Sequence, residues 1–422
     1  MREEVLHYIW KQKLLPIQAY QTIEGDSIEL LDAGQHNHHE GPDFLNAKLK
    51  IDNTLWVGHV EIHIKSSDWI LHQHDQSKLY NNVILHVVYE ADNDLAYLNI
   101  PTLEIKNFIP LEVVSKYDTL MRSKSPIACA NQFGKISSLH KNAWWTRLLA
   151  NRWQRKTEEW LARGNKSSND WLEIVIHQLA ANFGFKYNQV PFLQLIQSIP
   201  LTILLKHQSN LNQLEALLFG QSGLIPQDAA HPYIQDLEKE YHFLRRKYAL
   251  TPPQDLNWRF MRLRPANFPT IRMAQLAMFY HYYLDQIPQI LQFNNWEEFK
   301  KLLPIHTSPF WEKHYHFNKR SQTVKKKQLG TSALQNIIIN TFAPAQYLYS
   351  HFYSMENQSH ANIELLESLP KEQNHIIKKW TQIGQRVENA FESQALIECY
   401  NEYCKTKKCI ECGIGHQILK DI

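Results

Sequence analysis

The spacing of apolar residues changes once along this chain, and that change limits the folds open to it. From about residue 20 to 106 the runs "SIELLDAG", "FLNAKLKID", "LWVGHVEIHIK", "NVILHVVYE" and "IPTLEIK" are short, β-branched or alternating, and bounded by Asn, Asp and Gly. That is the pattern of strands. After "RSKSPIACANQFGKISS", from about residue 137 onward, segments such as "SLHKNAWWTRLLANRWQRKTEEWLARG", "DWLEIVIHQLAANFG" and "TIRMAQLAMFYHYYLDQIPQIL" repeat their apolar positions at helical spacing, with Pro and Gly between them. The pattern predicts an α+β protein: a mixed α/β domain over residues 1–125, a mostly α-helical domain over 126–398 and a short cysteine-containing tail over 399–422. Residues 3 to about 14 read as a leading helix with Val5, Leu6, Ile9 and Trp10 on one face, and "SSDWILHQHDQSKLYN" as the place of a short helix. A length of 422 residues suits two or three domains.

Composition narrows the function classes. Hydrophobic residues are 44% and charged residues 21%, an ordinary globular balance. No apolar run approaches the ~20 residues that span a bilayer, and "MREEVLHYIWKQKLL" lacks the apolar core of a signal peptide. No membrane partner and a cytoplasmic location are the expectation. The net charge of +3 neither demands nor excludes nucleic acid as a partner, and nothing in the sequence sets an oligomeric state.

The stretch "VGHVEIHIKSSDW" places Glu61, His63 and Lys65 at alternate positions, with Val60, Ile62 and Ile64 between them. On a strand the three ionisable groups share one face. Burying them is costly unless they pair or bind a ligand; a wet polar face is the plainer reading. Upstream, "GPDF" puts Asp43 at the entry to the preceding strand. Two carboxylates on adjacent strands can hold Mg²⁺ or Mn²⁺ through oxygen. Such an ion activates water and neutralises charge on a phosphodiester. With Pro42-Asp43 followed by Glu61 on the next strand, the region resembles the PD-(D/E)xK nuclease core, in which those acids bind one or two divalent cations. The resemblance implies a metal-dependent nuclease or phosphodiesterase with Asp43 and Glu61 as metal ligands and His63 in the slot of the catalytic lysine. Lys65 would then be a phosphate or water contact. It also implies a helical glutamate near the metal, for which Glu3 and Glu4 are the candidates. A histidine in the lysine slot equally suits a catalytically degenerate binding or scaffold protein.

Histidines crowd this region. His72, His74 and Asp75 follow the strand, as substrate contacts or as the primary ligands of a metal hydrolase of another class. His86 sits in an apolar strand and reads as a core histidine, while His36, His38 and His39 read as surface residues.

In the helical half, Arg262, Arg264 and Arg272 flank two prolines. Arg264 and Arg272 are candidate phosphate contacts, although bracing of two helices fits as well. Trp144, Trp145 and Trp153 interleave with Arg147, Arg152, Arg155 and Lys156, a mixture that can stack bases but on a helix suits a buried face and a wet one. "NKRSQTVKKKQLG" reads as a solvated basic loop. Cys404, Cys409 and Cys412 give a C-x₄-C-x₂-C run suited to a tetrahedral metal such as zinc, with Cys399, His416 or Cys129 as the fourth ligand. The nuclease resemblance adds an iron–sulfur cluster as the other occupant. Taken together, "GPDFLNAKL", "VEIHIKSSDWILHQHD", "YNNVILHVVYE", "LRPANFPTIRMAQLA" and "YCKTKKCIECGIG" resemble a bacterial family, domain-of-unknown-function family 2851, over nearly the full length. That resemblance implies only that these segments belong in one protein.

Overall fold

The computed structural model describes residues 1–422 apart from 17, 19, 164–170, 228–229, 303–304, 354–357 and 421–422, and apart from the side chains of 351 and 358–360. The chain divides into two units. The first joins Met1–Trp144, Gln382–Gly384 and Cys399–Ile422; the second joins Trp145–Thr381 and Gln385–Glu398. The division differs from the expected one at both ends. The first unit runs on to Trp144, and the cysteine tail is part of it instead of a separate segment.

The first unit is built on a seven-stranded sheet. Its strands are β1 (Tyr20–Gln21), β2 (Ser27–Asp32), β3 (Gln35–His36), β4 (Phe44–Ile51), β5 (Thr54–Lys65), β6 (Val83–Glu90) and β7 (Thr102–Glu104). The order is β1-β2-β4-β5-β6-β7, with β3 on β4. β4 runs antiparallel to both β2 and β5, whereas β5, β6 and β7 run parallel. The strand β5 is therefore where the sheet changes sense. Its early residues Leu55, Trp56 and Val57 are exposed, while Val60, Glu61, Ile62 and His63 are all buried. β6 is buried along Val83–Val88, as a parallel strand covered on both faces should be.

The helix α1 (Glu3–Lys11) buries Val5, Leu6, Ile9 and Trp10, the predicted face, and packs against β5. Glu3 and Glu4 occupy its first turn, where negative charge is favourable. After β5, a single helical turn, α2 (Asp68–Leu71), begins the crossover to β6. α3 (Leu111–Arg122) and α4 (Ala130–Phe133) follow the sheet. The tail enters through a π-helical turn, Tyr400–Cys404, and ends in the helix Gly413–Lys420, which buries Ile414, Ile418 and Leu419. Lys407 Nζ fastens it by donating to the carbonyls of Met121 and Ser123, at 2.7 and 2.9 Å.

The second unit is helical, with one small hairpin, His314–His316 against Lys319–Arg320. The long helix α5 (Ser138–Arg163) carries the Trp/Arg run across both units. Trp144, Trp145 and Trp153 are buried, so they are core residues and not a base-stacking surface. Arg152 and Arg155 reach the two oxygens of buried Glu398, at 3.0 and 2.7 Å. The basic loop is not wholly solvated either: Lys327 is buried and its ammonium donates to the carbonyls of Trp311 and Glu312. Among the described residues no helix is long and apolar enough to cross a membrane.

Candidate metal centre

Two local features aim side chains at the buried half of β5. A bulge in β4 between Phe44 and Ala47, with Asn46 at φ +56°, redirects the strand just after Asp43. The Asp43 backbone N–H donates to Glu61 Oε2 at 3.0 Å, and Asp43 Oδ2 accepts the Ile62 N–H at 2.9 Å. The two acids are thereby interlocked across β4 and β5. On the other side, the turn after β5 is pinned by Asp92, which accepts from the Ser66 hydroxyl and from the backbone N–H and hydroxyl of Ser67. Trp69 of α2 is buried in a cluster with Val83 and Leu95. Gln73 then takes a left-handed conformation, φ +59°. This reversal brings both His72 and His74 back to β5.

The result is a compact set of donors. His74 Nε2 lies 3.1 Å from Glu61 Oε1, and His63 Nε2 lies 3.4 Å from the same oxygen. His72 Nδ1 is 3.3 Å from His63 Nε2. One nitrogen from each of His63, His72 and His74 falls within 4.8 Å of the others. Tetrahedral coordination with bonds of about 2.1 Å separates donors by about 3.4 Å, close to the three spacings observed. Beneath the set, His63 Nδ1 is 2.9 Å from His86 Nε2. His86 is fully buried, as read from sequence, but its ring nitrogen serves His63 and does more than fill the core.

A second histidine–carboxylate pair adjoins the first. His7 Nε2 of α1 is 3.2 Å from Asp43 Oδ2 and 3.9 Å from Glu3 Oε1. Glu3 is thus the helical acid that faces the centre; Glu4 turns to Arg2 and accepts from the Tyr117 hydroxyl. The buried Nε2 atoms of His7 and His74 make no well-aligned hydrogen bond, although each has a carboxylate oxygen just over 3 Å away. Such an arrangement suits donors that converge on a cation. Sequence reasoning missed His7; its signal was the i, i+4 spacing from Glu3 on a helix.

Burial works against charge on several of these groups. Burial and the neighbouring His86, His74 and His72 push His63 down to about 2, and burial pushes His86 down to about 4. Burial raises Glu61 despite His74, and the Asp43 charge raises it further. Burial and Asp43 likewise raise Glu3 against the opposing pull of His7. For His7 burial works downward, but Asp43 and Glu3 outweigh it and leave the imidazole above its usual value.

The model of a family described as "Protein of unknown function (DUF2851)" matches residues 3–375. The chain belongs to the DUF2851 family. No curated protein and no solved structure matches it, so in this DUF2851 protein the likeness to the PD-(D/E)xK core rests on Asp43, Glu61 and their strands alone.

Other expected site residues of the DUF2851 chain go elsewhere. Lys65 is exposed at the end of β5 and its ammonium lies 3.5 Å from Asp92, away from the acids, because the strand ends before its side chain can turn back. Asp75 is exposed and outside the donor set, its expected place taken by Glu61 and His63. Arg264 is exposed and Arg272 buried in the second unit. Arg272 donates to Gln275 Oε1 at 2.9 Å and Asn267 Oδ1 at 2.6 Å and stacks over Phe185, so it is a brace and not a phosphate contact. His36 is not a lone surface residue: it stacks on Phe44 and meets His7 edge-on. Cys404, Cys409 and Cys412 lie in the first unit, apart from the histidine set.

Proposed function

We propose that this protein is a metal-dependent hydrolase of nucleic-acid phosphodiester bonds, with its divalent ion held by Glu61, His63, His72 and His74 and backed by Asp43. The observation that carries the reading is the spacing of those donors, 3.1 to 3.4 Å between neighbours around Glu61 Oε1 and His63 Nε2. Three imidazoles and a carboxylate suit Mn²⁺ or Zn²⁺ better than Mg²⁺.

An ion bound there supplies Lewis acidity toward a phosphoryl oxygen and hydroxide at neutral pH. The chain's own residues set up that chemistry. The 2.9 Å contact between His63 Nδ1 and His86 Nε2 fixes the ring's orientation, and in the tautomer with the proton on Nδ1 the His63 Nε2 lone pair is free toward the centre. Backbone N–H groups of Asp43 and Ile62 orient the two carboxylates. His7 Nε2 faces Asp43 and Glu3, whose charges favour its protonated form against burial. His7 also lines a groove of about 470 Å³ with His36 and His38, the cations Arg2, Lys11, Lys407 and Lys408 and the acids Glu4 and Glu411. Four cations against two acids in that lining support an anionic substrate.

The test is cleavage of single- and double-stranded DNA and RNA with Mn²⁺, Zn²⁺ or Mg²⁺, comparing wild type with Asp43→Ala and Glu61→Ala. Activity in wild type and its loss in both variants is the expected result; equal activity in all three rejects the assignment. The diversion of Lys65 to Asp92 favours a second reading, a protein that binds metal and nucleic acid without cutting. Binding with no cleavage under any ion would select it.

A further inference from the structure

The tail cysteines have a partner from far up the chain. Cys129, Cys404, Cys409 and Cys412 line one small cavity, with Tyr403 and Lys408 at its edge. Two features hold the tail against the segments that flank Cys129, and a third folds the tail tightly on itself. The Lys407 ammonium is tied to the carbonyls of Met121 and Ser123, just ahead of Cys129. Gly413 lies so close to the Trp144 indole that a Cβ there would approach it to 2.6 Å. Gly415 lies so close to the Cys409 carbonyl oxygen that a Cβ would stand 2.0 Å from it. The π-helical turn Tyr400–Cys404 re-aims Cys404 toward the same space.

We propose that Cys129, Cys404, Cys409 and Cys412 hold an iron–sulfur cluster. Four thiolates from two segments are the usual ligand set for such a cluster. A lone zinc, with bonds of about 2.3 Å, would draw the sulfurs to about 3.8 Å apart and leave no space between them. The cavity between them has about 20 Å³, room for a water-sized sphere that a zinc-filled tetrahedron lacks. The surroundings suit a buried anionic cluster. Backbone N–H groups of Ile414 and Gly415 point at Cys412 sulfur, and Lys408 supplies positive charge at the rim. Cys399 is also buried and touches Cys404 and Cys412, but it does not line the cavity. It is a neighbour of the cluster and not a ligand.

The experiment uses the full chain carrying His72→Ala and His74→Ala, so that metal at the histidine set is not counted and failure of that centre leaves this test intact. The protein is purified without oxygen and analysed for iron, zinc and acid-labile sulfide. Iron and sulfide in equal amounts, roughly two or four of each per chain, with visible absorption, is the expected result. Cys129→Ser should lose the cluster and Cys399→Ser should keep it. If Cys129→Ser does not fold, native mass spectrometry of the parent chain still reads the bound cluster directly. One zinc per chain, no metal at all, or loss of the cluster in Cys399→Ser to the same extent as in Cys129→Ser would each overturn the proposal.

Discussion

Glu61 Oε1 stands 3.1 Å from His74 Nε2, a buried nitrogen that makes no well-aligned hydrogen bond. A buried carboxylate facing a buried imidazole in poor hydrogen-bonding geometry needs a further partner. We expect His74→Ala to weaken Mn²⁺ or Zn²⁺ binding by about 100-fold, at or beyond the upper end of effects seen for residues that only support ligands. Isothermal titration of the folded variant checks this; unchanged affinity would remove His74 from the site.

His86 acts through His63. Its Nε2 is 2.9 Å from His63 Nδ1. His86→Phe keeps an aromatic ring in the core but leaves that nitrogen without a partner. Metal affinity should fall by about 10- to 100-fold with circular dichroism unchanged. A purely structural role would reverse the pattern, costing stability and sparing affinity.

Lys65 should be dispensable. An exposed pair such as Lys65–Asp92 contributes about 0–1 kcal/mol. Cleavage rates of Lys65→Ala are expected within about twofold of wild type, whereas His63→Ala should abolish activity. A large loss in Lys65→Ala would restore the lysine to the catalytic role suggested by its place in the strand.

The second unit contains a pH-sensitive acid. Glu215 is buried, accepts from the Ser308 and Tyr233 hydroxyls, and is pushed by burial up to about 7. Between its ordinary value of 4.5 and about 7 the folded state binds the proton that the unfolded state has released. This contribution to stability is therefore full below pH 4.5 and falls as pH rises through 7. Glu215→Gln should abolish that decline, with a gain above neutrality of up to about 3 kcal/mol. Denaturant melts at pH 5 and pH 8 measure it.

Gly415→Ala tests the packing of the tail. Its new methyl would stand 2.0 Å from the Cys409 carbonyl oxygen, a backbone atom that cannot swing aside. A loss of about 1–3 kcal/mol is expected, read as a lower Tm and faster proteolysis after Lys408.

The sheet, and the placing of Asp43 and Glu61 on neighbouring strands of it, were legible because alternation on a strand is a local property. Glu61 and His63 share one face of β5, as their spacing suggested, although both faces are covered there. Lys65 has the same parity, but parity does not say where a strand stops being covered, and the Ser66–Ser67 turn clipped by Asp92 ends the cover two residues too early. His7 was missed because only the docking of α1 on β5 brings it to Asp43, and no local pattern encodes that docking. Arg272 and Lys327 misled for a related reason. A cation in a polar run reads as wet until the tertiary fold supplies buried carbonyls and amides to receive it.

The return of residues 399–422 to the first unit has a consequence for how the chain is made. During vectorial synthesis the ribosome delivers the sheet and α1–α4 early, then the whole helical unit, and only afterwards the segment that meets Trp144 and Cys129. The nascent first unit must wait with that surface uncovered, and a stall or truncation late in translation would release a chain with an assembled sheet but an unfinished thiol pocket.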